Sequence, residues 1–434
     1  MRRWLNVVRV AWAPLLLTSV AWAMERFPPP DFETAYRLPK TQVPLPRTLL
    51  QEYLDVALLA LALSLAAYLV YKRRSRRELT LLSVFSVAYF GFWRKGCVCA
   101  IGSLQNVSLA LADRAYHVPL TVVAFFALPL VFALFFGRTF CAAVCPHGAL
   151  QDLVLVRPVK VPAWLERALS LLAHVYLGAA VLFAATGSAF VICRYDPFVG
   201  FFRLSGSYGM LATGAGLLLL AAFVGRPYCR FLCPYGVLLR MLSWISKWRV
   251  VIYKYRCTLC GICPEACPYG AVLEPTPPAG AAGSRQPRLA LLGAQVVALM
   301  AVFGWVGSRV AVPLSASHPT VSLAERVYLE DAGKVKGTTD ASANFRNSGQ
   351  SSKELLDQAG VIAHQFASGG WLWGAWIGLA LGGMLFAQSL PRERAEYEAE
   401  RGACVACARC FEPCPGSRKA AADTETERPG PAAL

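Results

Sequence analysis

Two cysteine runs of identical spacing constrain this chain more than any other feature of its sequence. The runs are Cys257-x2-Cys260-x2-Cys263-x3-Cys267-Pro268 and Cys404-x2-Cys407-x2-Cys410-x3-Cys414-Pro415. The closing proline suits a chain that turns away after its last cysteine, because its φ is fixed and it lacks an N–H. We therefore interpret the runs as two halves of one unit. This interpretation requires the C-terminal run to fold back onto the first.

The doubled run resembles the bacterial ferredoxin pattern, in which three cysteines of one run and the fourth cysteine of the other hold each 4Fe-4S cluster. The resemblance implies one cluster on Cys257, Cys260, Cys263 and Cys414, and a second on Cys404, Cys407, Cys410 and Cys267. Two zinc sites or a set of disulfides are the alternatives. Zinc sites usually space their cysteines in separated pairs, and disulfides do not require two identical spacings, so iron–sulfur ligation is favoured.

The composition indicates a membrane protein. The chain has 434 residues and is 56% hydrophobic, and its mean hydropathy is positive, which is too apolar for an ordinary soluble protein of this length. The formal net charge is +17, but the basic residues cluster beside apolar segments, where they usually mark the cytoplasmic face. We therefore expect no nucleic-acid partner. The cysteines of the two runs favour a reducing compartment around them.

Charge and hydropathy together predict the topology. Residues 1–23 are typical of a signal peptide or an anchor helix, and residues 24–51 follow as an extracytoplasmic lead-in. The apolar segment 52–71 ends on a basic cluster from Lys72 to Arg77, which indicates that this end is cytoplasmic. Further spans are predicted at residues 79–93, 118–136, 168–187, 211–224, 289–310 and 371–390. The total is seven spans if the first segment is cleaved and eight if it is retained.

The predicted fold is an all-α polytopic membrane protein that carries a small α+β, bacterial-ferredoxin-like domain with two 4Fe-4S clusters on its cytoplasmic side. The membrane domain covers residues 52–235. The ferredoxin-like domain is split in sequence into residues 236–273, which begin with an amphipathic helix, and residues 391–415. A polar extracytoplasmic segment, 311–370, lies between the last two spans. Residues 416–434 are expected to form a disordered tail.

Two matched cysteine pairs lie in the predicted membrane domain. Cys141-x3-Cys145-Pro146 follows Gly137-Arg138, and Cys229-x3-Cys233-Pro234 follows Gly225-Arg226. A spacing of four places both sulfurs of a pair on one helical face, so the four cysteines can present their thiolates to one metal or iron–sulfur centre just inside the membrane. The alternative is that small apolar cysteines only pack at helix ends. Both interpretations stay open, although packing does not explain the duplication.

Three more cysteines, Cys97, Cys99 and Cys193, are predicted to lie on the outer side. The segment from Cys99 to Gln105 repeats the pattern that begins at Cys145 and at Cys233, although Ala100 replaces the proline of the other two copies. The three thiols are candidates for an outer metal centre without an obvious fourth ligand. A disulfide between Cys193 and one of the others is the alternative in an oxidising compartment. The five histidines are scattered and do not establish a haem site.

At these residues the chain resembles the NosR/NapH-type membrane polyferredoxins. The resemblance rests on the twin Cys-x3-Cys-Pro motifs after Gly-Arg, on the two ferredoxin runs and on the loop Cys193-Arg194-Tyr195-Asp196-Pro197-Phe198, and it covers roughly residues 52–415. Full NosR-like proteins carry a periplasmic flavin-binding domain before the spans, whereas only a short segment stands there in this sequence. We therefore expect any flavin site to come from another chain.

The resemblance implies a multi-pass electron-transfer protein of a bacterial inner membrane. Electrons would pass between a quinol pool or cytoplasmic donor and a periplasmic redox partner, either a flavoprotein or a reductase. The chain would act as a subunit rather than as a stand-alone enzyme. Two 4Fe-4S clusters are the expected cofactors. Because an apolar bilayer core of about 30 Å is too thick for one electron hop, intermediate centres are expected. The alternatives are an accessory factor or metal reductase for a respiratory metalloenzyme, and a redox-sensing regulator.

Overall fold

The computed structural model describes residues 47–96, 99–252, 257–276, 285–389 and 394–415. The predicted signal or anchor segment, most of the lead-in and the predicted C-terminal tail lie outside these residues. Two compact units are distinguished, residues 1–55 and residues 56–434. In the described part of the first unit, Arg47 forms an ion pair of 2.5 Å with the buried carboxylate of Asp55.

Helices make up most of the described chain. The first half contains α1 (Leu49–Tyr68, extended by a π-helical turn Leu69–Arg73), α2 (Arg76–Ser86, extended by a π-helical turn Val87–Trp93), α3 (Ala100–Ala112), α4 (Leu120–Phe136), α5 (Pro146–Leu153, preceded by a π-helical turn Phe140–Val144), α6 (Ala163–Ala185), α7 (Val191–Tyr195), α8 (Val199–Arg203), α9 (Tyr208–Ala221), α10 (Pro227–Phe231) and α11 (Pro234–Trp244). The second half contains α12 (Ile262–Ala266), β1 (Val272–Leu273), α13 (Arg285–Leu314), a 3₁₀ turn (Ser315–Ser317), α14 (Pro319–Asp331), α15 (Asp340–Asn347), α16 (Ser352–Ser389) and β2 (Glu398–Ala399).

Four of the described helices have the length and apolar composition to cross a membrane. They are Leu49–Arg73, Ala163–Ala185, Leu289–Ser317 and Ser352–Ser389. Each overlaps a predicted span, whereas the predicted spans at 118–136 and 211–224 correspond to the shorter apolar helices α4 and α9. The predicted span at 79–93 lies in α2 and its π-helical extension. The total of seven or eight spans therefore stays a prediction.

The predicted polar segment 311–370 is largely helical. α14, α15 and the first turns of α16 form a small apolar cluster, whose buried members are Ala324, Val327, Phe345, Leu355 and Ala359. α16 then continues without a break into its apolar part. The segment is therefore a folded extension of the last two long helices.

α13 and α16 pack against each other along a stripe of glycines. The stripe consists of Gly370, Gly374, Gly378 and Gly382 on α16 and Gly307 on α13. A Cβ atom at Gly374 would overlap the carbonyl of Phe303, so the backbones are in direct contact. Small residues one turn apart allow this close approach and are typical of helix association in membranes. The contacts run antiparallel, from Gly370 against Gly307 to Gly382 against Val296, which brings the end of α16 beside the start of α13.

The segments around the two cysteine runs meet in a short antiparallel sheet. β1 follows the first run and pairs with β2, which precedes the second run, through Val272 with Ala399 and Leu273 with Glu398. The amide of Glu400 also donates to the carbonyl of Ala271 at 2.8 Å. Segments that are far apart in sequence therefore form one small α+β unit, here called the ferredoxin-like unit.

Two hairpins carry the four paired cysteines of residues 52–235. In the first, the chain turns at Gly137 with φ of 62°, passes through the π-helical turn Phe140–Val144 and returns as α5. In the second, it turns at Arg226 with φ of 52°, passes through α10, reverses at Cys233 and returns as α11. Residues 140–149 are all buried.

Both ends of the first hairpin contact the ferredoxin-like unit. Where the hairpin begins, Arg138 donates to the carbonyl of Gly402 at 3.2 Å. Where it ends, Asp152 accepts a hydrogen bond from Arg409 at 3.2 Å. A helix rises about 1.5 Å per residue, so the tip at Cys145 lies roughly 10 Å beyond Asp152, away from the unit.

The second hairpin contacts the same unit at both ends. A Cβ atom at Gly225 would lie 2.7 Å from the carbonyl oxygen of Pro268, which explains glycine at this position. At the other end, Arg401 donates to the carbonyl of Trp244 at 3.3 Å. The tip of this hairpin at Cys233 therefore also points away from the ferredoxin-like unit.

Candidate functional site

The cysteines of the predicted second cluster line one cavity of the ferredoxin-like unit. The cavity has a volume of about 380 Å³, and its sulfur-bearing residues are Cys267, Cys404, Cys407 and Cys410. Burial raises the pKa of the Cys404 thiol to about 12, and the nearby Cys407 and Cys267 act in the same direction. Buried thiols at such close range stay protonated unless a metal takes the place of their protons. Three of these cysteines come from one run and the fourth from the other, as in the ferredoxin pattern.

Both cysteine runs wind in the same unusual way. The residues before and after the second cysteine have left-handed φ values, 54° at Leu259 and 75° at Gly261 in the first run, and 55° at Ala406 and 62° at Ala408 in the second. Positive φ is uncommon at residues other than glycine. In the second run, the backbone of Ala406 consequently hydrogen-bonds the sulfur of Cys404. Such turns direct successive backbone N–H groups toward an anionic group, so the two runs are shaped as equivalent binding loops.

The cysteines of the predicted first cluster are also grouped. Burial raises the pKa of Cys263 to about 11, and the further causes are the nearby Cys414, Cys260 and Cys257. The second run therefore contributes Cys414 to this group. Cys410 of the other group is close enough to Cys263 for the two thiols to interact electrostatically. The two groups are thus neighbours within the ferredoxin-like unit.

The four cysteines of the hairpins converge at a second cavity, here called the membrane set. The cavity has a volume of about 290 Å³, and the sulfur-bearing residues on its wall are Cys141, Cys145, Cys229 and Cys233. Cys145 and Cys233 stand at the N-termini of α5 and α11, and the amide of Gly236 donates to Cys233 Sγ at 3.3 Å. A helix N-terminus stabilises negative charge, such as that of a thiolate. The two hairpins therefore bring together both sequence motifs, as four convergent sulfur donors.

Two buried arginines lie between the membrane set and the ferredoxin-like unit. Arg138 Nη2 is 3.9 Å from Cys141 Sγ, and its Nη1 donates to Gly402 of the ferredoxin-like unit. Arg226 donates to the carbonyls of Cys141 and, at 3.0 Å, of Ala142. Buried cations offset the free-energy cost of placing negative thiolates in an apolar interior.

Asp152 joins the two parts of the molecule. Its buried carboxylate accepts from Arg76 at 2.5 Å, from Arg409 at 3.2 Å and from the hydroxyl of Tyr269 at 2.5 Å, and it forms an ion pair with Arg226 at 3.2 Å. Burial alone would raise the pKa of Asp152, but the three arginines outweigh it, so that the pKa is lowered. Tyr269 follows the first cysteine run and Arg409 lies in the second, so one carboxylate fixes both segments against the hairpins.

The donor chemistry of these cavities fits iron–sulfur clusters. Each is lined by four sulfurs and otherwise mainly by apolar groups, and soft thiolate donors select Fe–S clusters, zinc or copper(I). Within the described ranges, no group of three or more His, Cys, Asp or Glu residues has the arrangement of a single bound metal ion. The assignment to clusters therefore rests on the grouping of the sulfurs and on the winding of the runs.

A glutamine holds one cysteine of the membrane set. Gln151 Nε2 donates to Cys229 Sγ at 3.3 Å, and its Oε1 accepts from the amide of Tyr228 at 3.0 Å. The same arrangement occurs a second time. Gln105 Nε2 donates to Cys193 Sγ at 3.3 Å, and its Oε1 accepts from the amide of Ile192 at 2.7 Å.

The structure places the predicted outer cysteines closer to the membrane set than their predicted side of the membrane implies. Cys99 and Cys145 line one cavity of about 320 Å³. No disulfide joins Cys99 to Cys193, and a disulfide between Cys193 and Cys97 stays a prediction. Cys97 lies outside the described residues.

A buried His147–Asp196 pair lies at this cavity and was not predicted from the sequence. His147 Nε2 is 3.0 Å from Asp196 Oδ2, and both side chains are at most 2% exposed. His147 lines the cavity beside Cys99 and Cys145. The only sequence signals were its position two residues after Cys145 and the presence of Asp196 in the Cys193 loop, and neither indicates a pair that is so distant in sequence.

A comparison with protein families finds a match in the segments that contain the two hairpins. A family model described as a 4Fe-4S binding domain matches residues 118–170 and 207–252. These ranges contain all four cysteines of the membrane set and end before the first ferredoxin run begins at Cys257.

Several proteins are similar to the chain in sequence. The regulatory protein NosR of Stutzerimonas stutzeri is 27% identical over 214 residues, which are 44% of this chain and 28% of NosR. YccM of Escherichia coli (strain K12) is 29% identical over 166 residues, 34% of this chain and 45% of YccM. The methylamine utilization ferredoxin-type protein MauN of Methylobacillus flagellatus is 27% identical over 158 residues, 33% of this chain and 52% of MauN. The chain therefore spans about half or less of each of these relatives. No solved structure shows significant similarity to it.

Proposed function

These similarities support a NosR/NapH-type membrane ferredoxin-like protein, and from this premise we propose that the chain passes single electrons between a quinol or cytoplasmic donor and a periplasmic redox partner. An iron–sulfur electron-transfer type of function is supported by NosR and MauN and by the 4Fe-4S family model. The proposal adds the partners, the inner-membrane location, the cytoplasmic side for the ferredoxin-like unit, and a flavin-containing partner chain.

The proposal rests on one observation: the membrane set is next to the ferredoxin-like unit, and the buried side chains of Arg138 and Arg226 lie between the two. Arg226 interacts electrostatically with Cys229 of the membrane set and with Cys407 of the second ferredoxin group. Arg138 acts in the same way on Cys229 and on Cys404. The sulfur groups thus form a series from Cys263 through Cys410 and Cys404 to Cys229.

The chain would use its own residues to hold and tune these sites. When bound, a 4Fe-4S cluster supplies reversible exchange of one electron. The ferredoxin cysteines would hold two such clusters, in the sets given by Cys257, Cys260, Cys263 and Cys414 and by Cys404, Cys407, Cys410 and Cys267. Cys141, Cys145, Cys229 and Cys233 would hold a third. Arg138, Arg226 and Gln151 would then adjust the potential of the third, because net charge and hydrogen bonds to sulfur set it.

The number of iron atoms tests the third site. We expect about twelve irons and about twelve acid-labile sulfides in the anaerobically purified protein, and about eight of each in a Cys141→Ala/Cys229→Ala variant. The ferredoxin clusters that the variant keeps serve as its internal folding control. Equal iron contents in the two proteins would confine the clusters to the ferredoxin-like unit and refute the relay.

Electron passage is tested separately in sealed proteoliposomes. Ferricyanide is trapped inside, dithionite is added outside, and the bleaching of ferricyanide reports electrons that have crossed the bilayer, since neither anion crosses it unaided. We expect the native protein to bleach the trapped ferricyanide and the Cys141→Ala/Cys229→Ala variant to do so at the rate of empty vesicles. Equal rates in both proteins would contradict a path through the membrane set.

A redox-sensing role is the second candidate, since NosR is described as a regulatory protein. A redox sensor would use the same cysteines but would not pass a sustained flow of electrons. Trapped acceptor in large excess separates the two functions: a relay consumes it over many turnovers, whereas a sensor stops after the few electrons that its own clusters hold. An accessory factor or metal reductase would instead reduce trapped copper(II) faster than it reduces ferricyanide.

A further inference from the structure

We propose that a cavity between the end of α11 and the ferredoxin-like unit, here called the arginine cavity, binds the phosphate group of an anionic membrane lipid. The cavity has a volume of about 270 Å³, and the polar side chains on its wall include those of Arg138, Arg249, Arg401 and Ser246. Cys404 of the second ferredoxin group also lies on this wall. The presence of the site does not depend on the proposed function, whereas its effect on electron transfer does.

The first argument is an excess of positive charge. Arg138, Arg249 and Arg401 line the arginine cavity, and no aspartate or glutamate does so within the described part of the chain. The carboxylate of Glu400, which precedes Arg401, attracts Arg240 of α11, whereas Arg138 repels that cation. Like charges around one cavity are unfavourable unless an anion offsets them. A phosphate suits this setting, because its oxygens accept the paired N–H groups of a guanidinium.

The second argument is a buried donor that lacks an acceptor. Arg138 is only 6% exposed, and its Nε has no hydrogen-bond partner among the described residues. The other two nitrogens of its guanidinium are engaged, since Nη1 donates to the carbonyl of Gly402 at 3.2 Å and Nη2 lies 3.9 Å from Cys141 Sγ. A buried N–H group without an acceptor costs free energy. A phosphate oxygen in the arginine cavity would supply this acceptor.

The third argument is that hydrogen bonds within the protein already hold the wall of the cavity in place. The hydroxyl of Tyr71 donates to the carbonyl of Phe136 at 2.9 Å and is 3.3 Å from that of Trp248. Arg401 Nη1 donates to the carbonyl of Trp244 at 3.3 Å. Carbonyl groups at the end of a helix repel an anion, and this bond satisfies one of those at the end of α11. The site is therefore formed before any ligand binds.

The fourth argument concerns the surface next to the cavity, which favours a lipid over a free phosphate ion. Trp244, Ile245 and Trp248 are exposed there, and the ammonium of Lys247 lies 5.0 Å from the centre of the Trp248 ring. Exposed tryptophans beside basic residues are typical of a membrane interface, and basic pockets at this depth bind anionic head groups. The acyl chains of a lipid held in the arginine cavity would cover these apolar side chains.

The position of the site implies an effect on the second ferredoxin group. Cys404 lines the cavity, and Arg138 acts electrostatically on both Cys404 and Cys229. The net charge beside an iron–sulfur cluster helps to set its potential. A bound phosphate, which offsets the charge of the arginines, would therefore lower the potential of the cluster that Cys404 ligates. This regulation rests on the proposed function.

Lipid titration tests the site. The full-length protein is stripped of lipid in detergent and titrated with phosphatidylglycerol, with zwitterionic phosphatidylcholine or with inorganic phosphate, and native mass spectrometry detects the bound molecules. We expect phosphatidylglycerol to bind most tightly. An Arg249→Gln/Arg401→Gln variant should bind it at least about tenfold more weakly, because the loss of a hydrogen bond to a charged group weakens binding by such a factor. Arg326→Gln/Arg346→Gln, which removes the same charge from arginines that pair with Glu330, is the matched control.

Three results would overturn the site: no binding of phosphatidylglycerol, equal binding of phosphatidylcholine, or unchanged affinity in Arg249→Gln/Arg401→Gln. Displacement of the lipid by an equal concentration of inorganic phosphate would overturn the assignment to a lipid. If the double variant does not fold, Arg249→Gln, a substitution at an exposed position, replaces it and should also weaken binding.

Redox titration followed by EPR tests the regulation. In nanodiscs, phosphatidylglycerol should lower the midpoint potential of one cluster signal relative to phosphatidylcholine, and Arg249→Gln/Arg401→Gln should abolish this difference. An unchanged potential with the lipid bound would refute the regulation. The proposed function fails independently, when Cys141→Ala/Cys229→Ala loses no iron although phosphatidylglycerol binds as expected.

Discussion

Replacement of Asp152 by asparagine is the sharpest single perturbation of the contact between the hairpins and the ferredoxin-like unit. The substitution preserves shape and removes one negative charge. Arg76, Arg409 and the hydroxyl of Tyr269 donate to this carboxylate, and Arg226 forms an ion pair with it. The asparagine amide offers one acceptor oxygen to these donors and presents an N–H₂ group to the rest. Arg226 and Arg76 would therefore lose their counter-charge in the interior.

The size of the expected destabilisation follows from how exposed Asp152 and its arginine partners are. Asp152 and Arg226 are each 1% exposed, and Arg76 is 12% exposed. The ion pair between Asp152 and Arg226 is therefore buried, and removal of one partner of a buried ion pair costs about 3–5 kcal/mol. Arg409 is 27% exposed and contributes little, as exposed pairs do. Arg226 keeps its hydrogen bonds to the carbonyls of Cys141 and Ala142, so we expect a cost at the lower end of this range. We expect a loss of about 3 kcal/mol, or roughly 150-fold in the equilibrium for opening the contact.

Hydrogen–deuterium exchange in detergent at neutral pH measures this opening. Amides of residues 398–411 should exchange roughly 100-fold faster in Asp152→Asn, and the protein should melt at a lower temperature. Asp331→Asn is the matched control, since Asp331 is 44% exposed and pairs with Arg346 at 2.8 Å, where we expect at most about 1 kcal/mol. If Asp152→Asn behaves like this control, the carboxylate does not hold the two parts together and the reasoning is wrong.

Three further predictions concern Asp152, the glycine stripe and Cys414. The pKa of Asp152 is lowered in the folded protein. The stability that its carboxylate contributes is therefore present above its pKa in the unfolded chain, about 3.9, and is lost as the pH falls below that value. The melting temperature of the native protein should drop more steeply below about pH 4 than that of Asp152→Asn. Gly374→Leu should separate α13 from α16, because even a Cβ atom at this position overlaps Phe303. Cysteine crosslinking between the two helices should then fail. In the control variant Gly383→Ala the added Cβ atom meets open space, so crosslinking should be normal. Cys414→Ala should remove one cubane EPR signal and leave the other, and two intact signals would show that Cys414 is not a ligand.

The grouping of the cysteines could be predicted because ligand spacing is a local property of the sequence. The structure brings Cys267 to Cys404, Cys407 and Cys410, and Cys414 to Cys263, as the doubled run implied. The four cysteines of the membrane set likewise share a cavity. Long apolar helices were equally readable, since α1 and α6 carry an uninterrupted hydrophobic signal.

Other features could not be predicted, because no local pattern encodes them. α3 is apolar and buried on one side, but Gly102, Ser103 and Gln105 lower its hydropathy and hid it from a search for spans. The hairpin tips are shorter than a span, so the search for spans did not find them. His147 and Asp196 meet only because the first hairpin and the Cys193 loop pack together. The segment before Trp371 was predicted only to be polar, and its helices α14 and α15 were not predicted.

The glycine stripe between α13 and α16 sets an order of events during biogenesis. Both predicted ferredoxin clusters draw ligands from the two sides of this helix pair, since Cys267 precedes α13 and Cys404 follows α16. Neither ligand set is complete until both helices have been inserted and have aligned along Gly370, Gly374 and Gly378. We therefore expect cluster delivery to be a late step that follows membrane integration, so that a chain stalled after α13 offers the delivery machinery only half of each site.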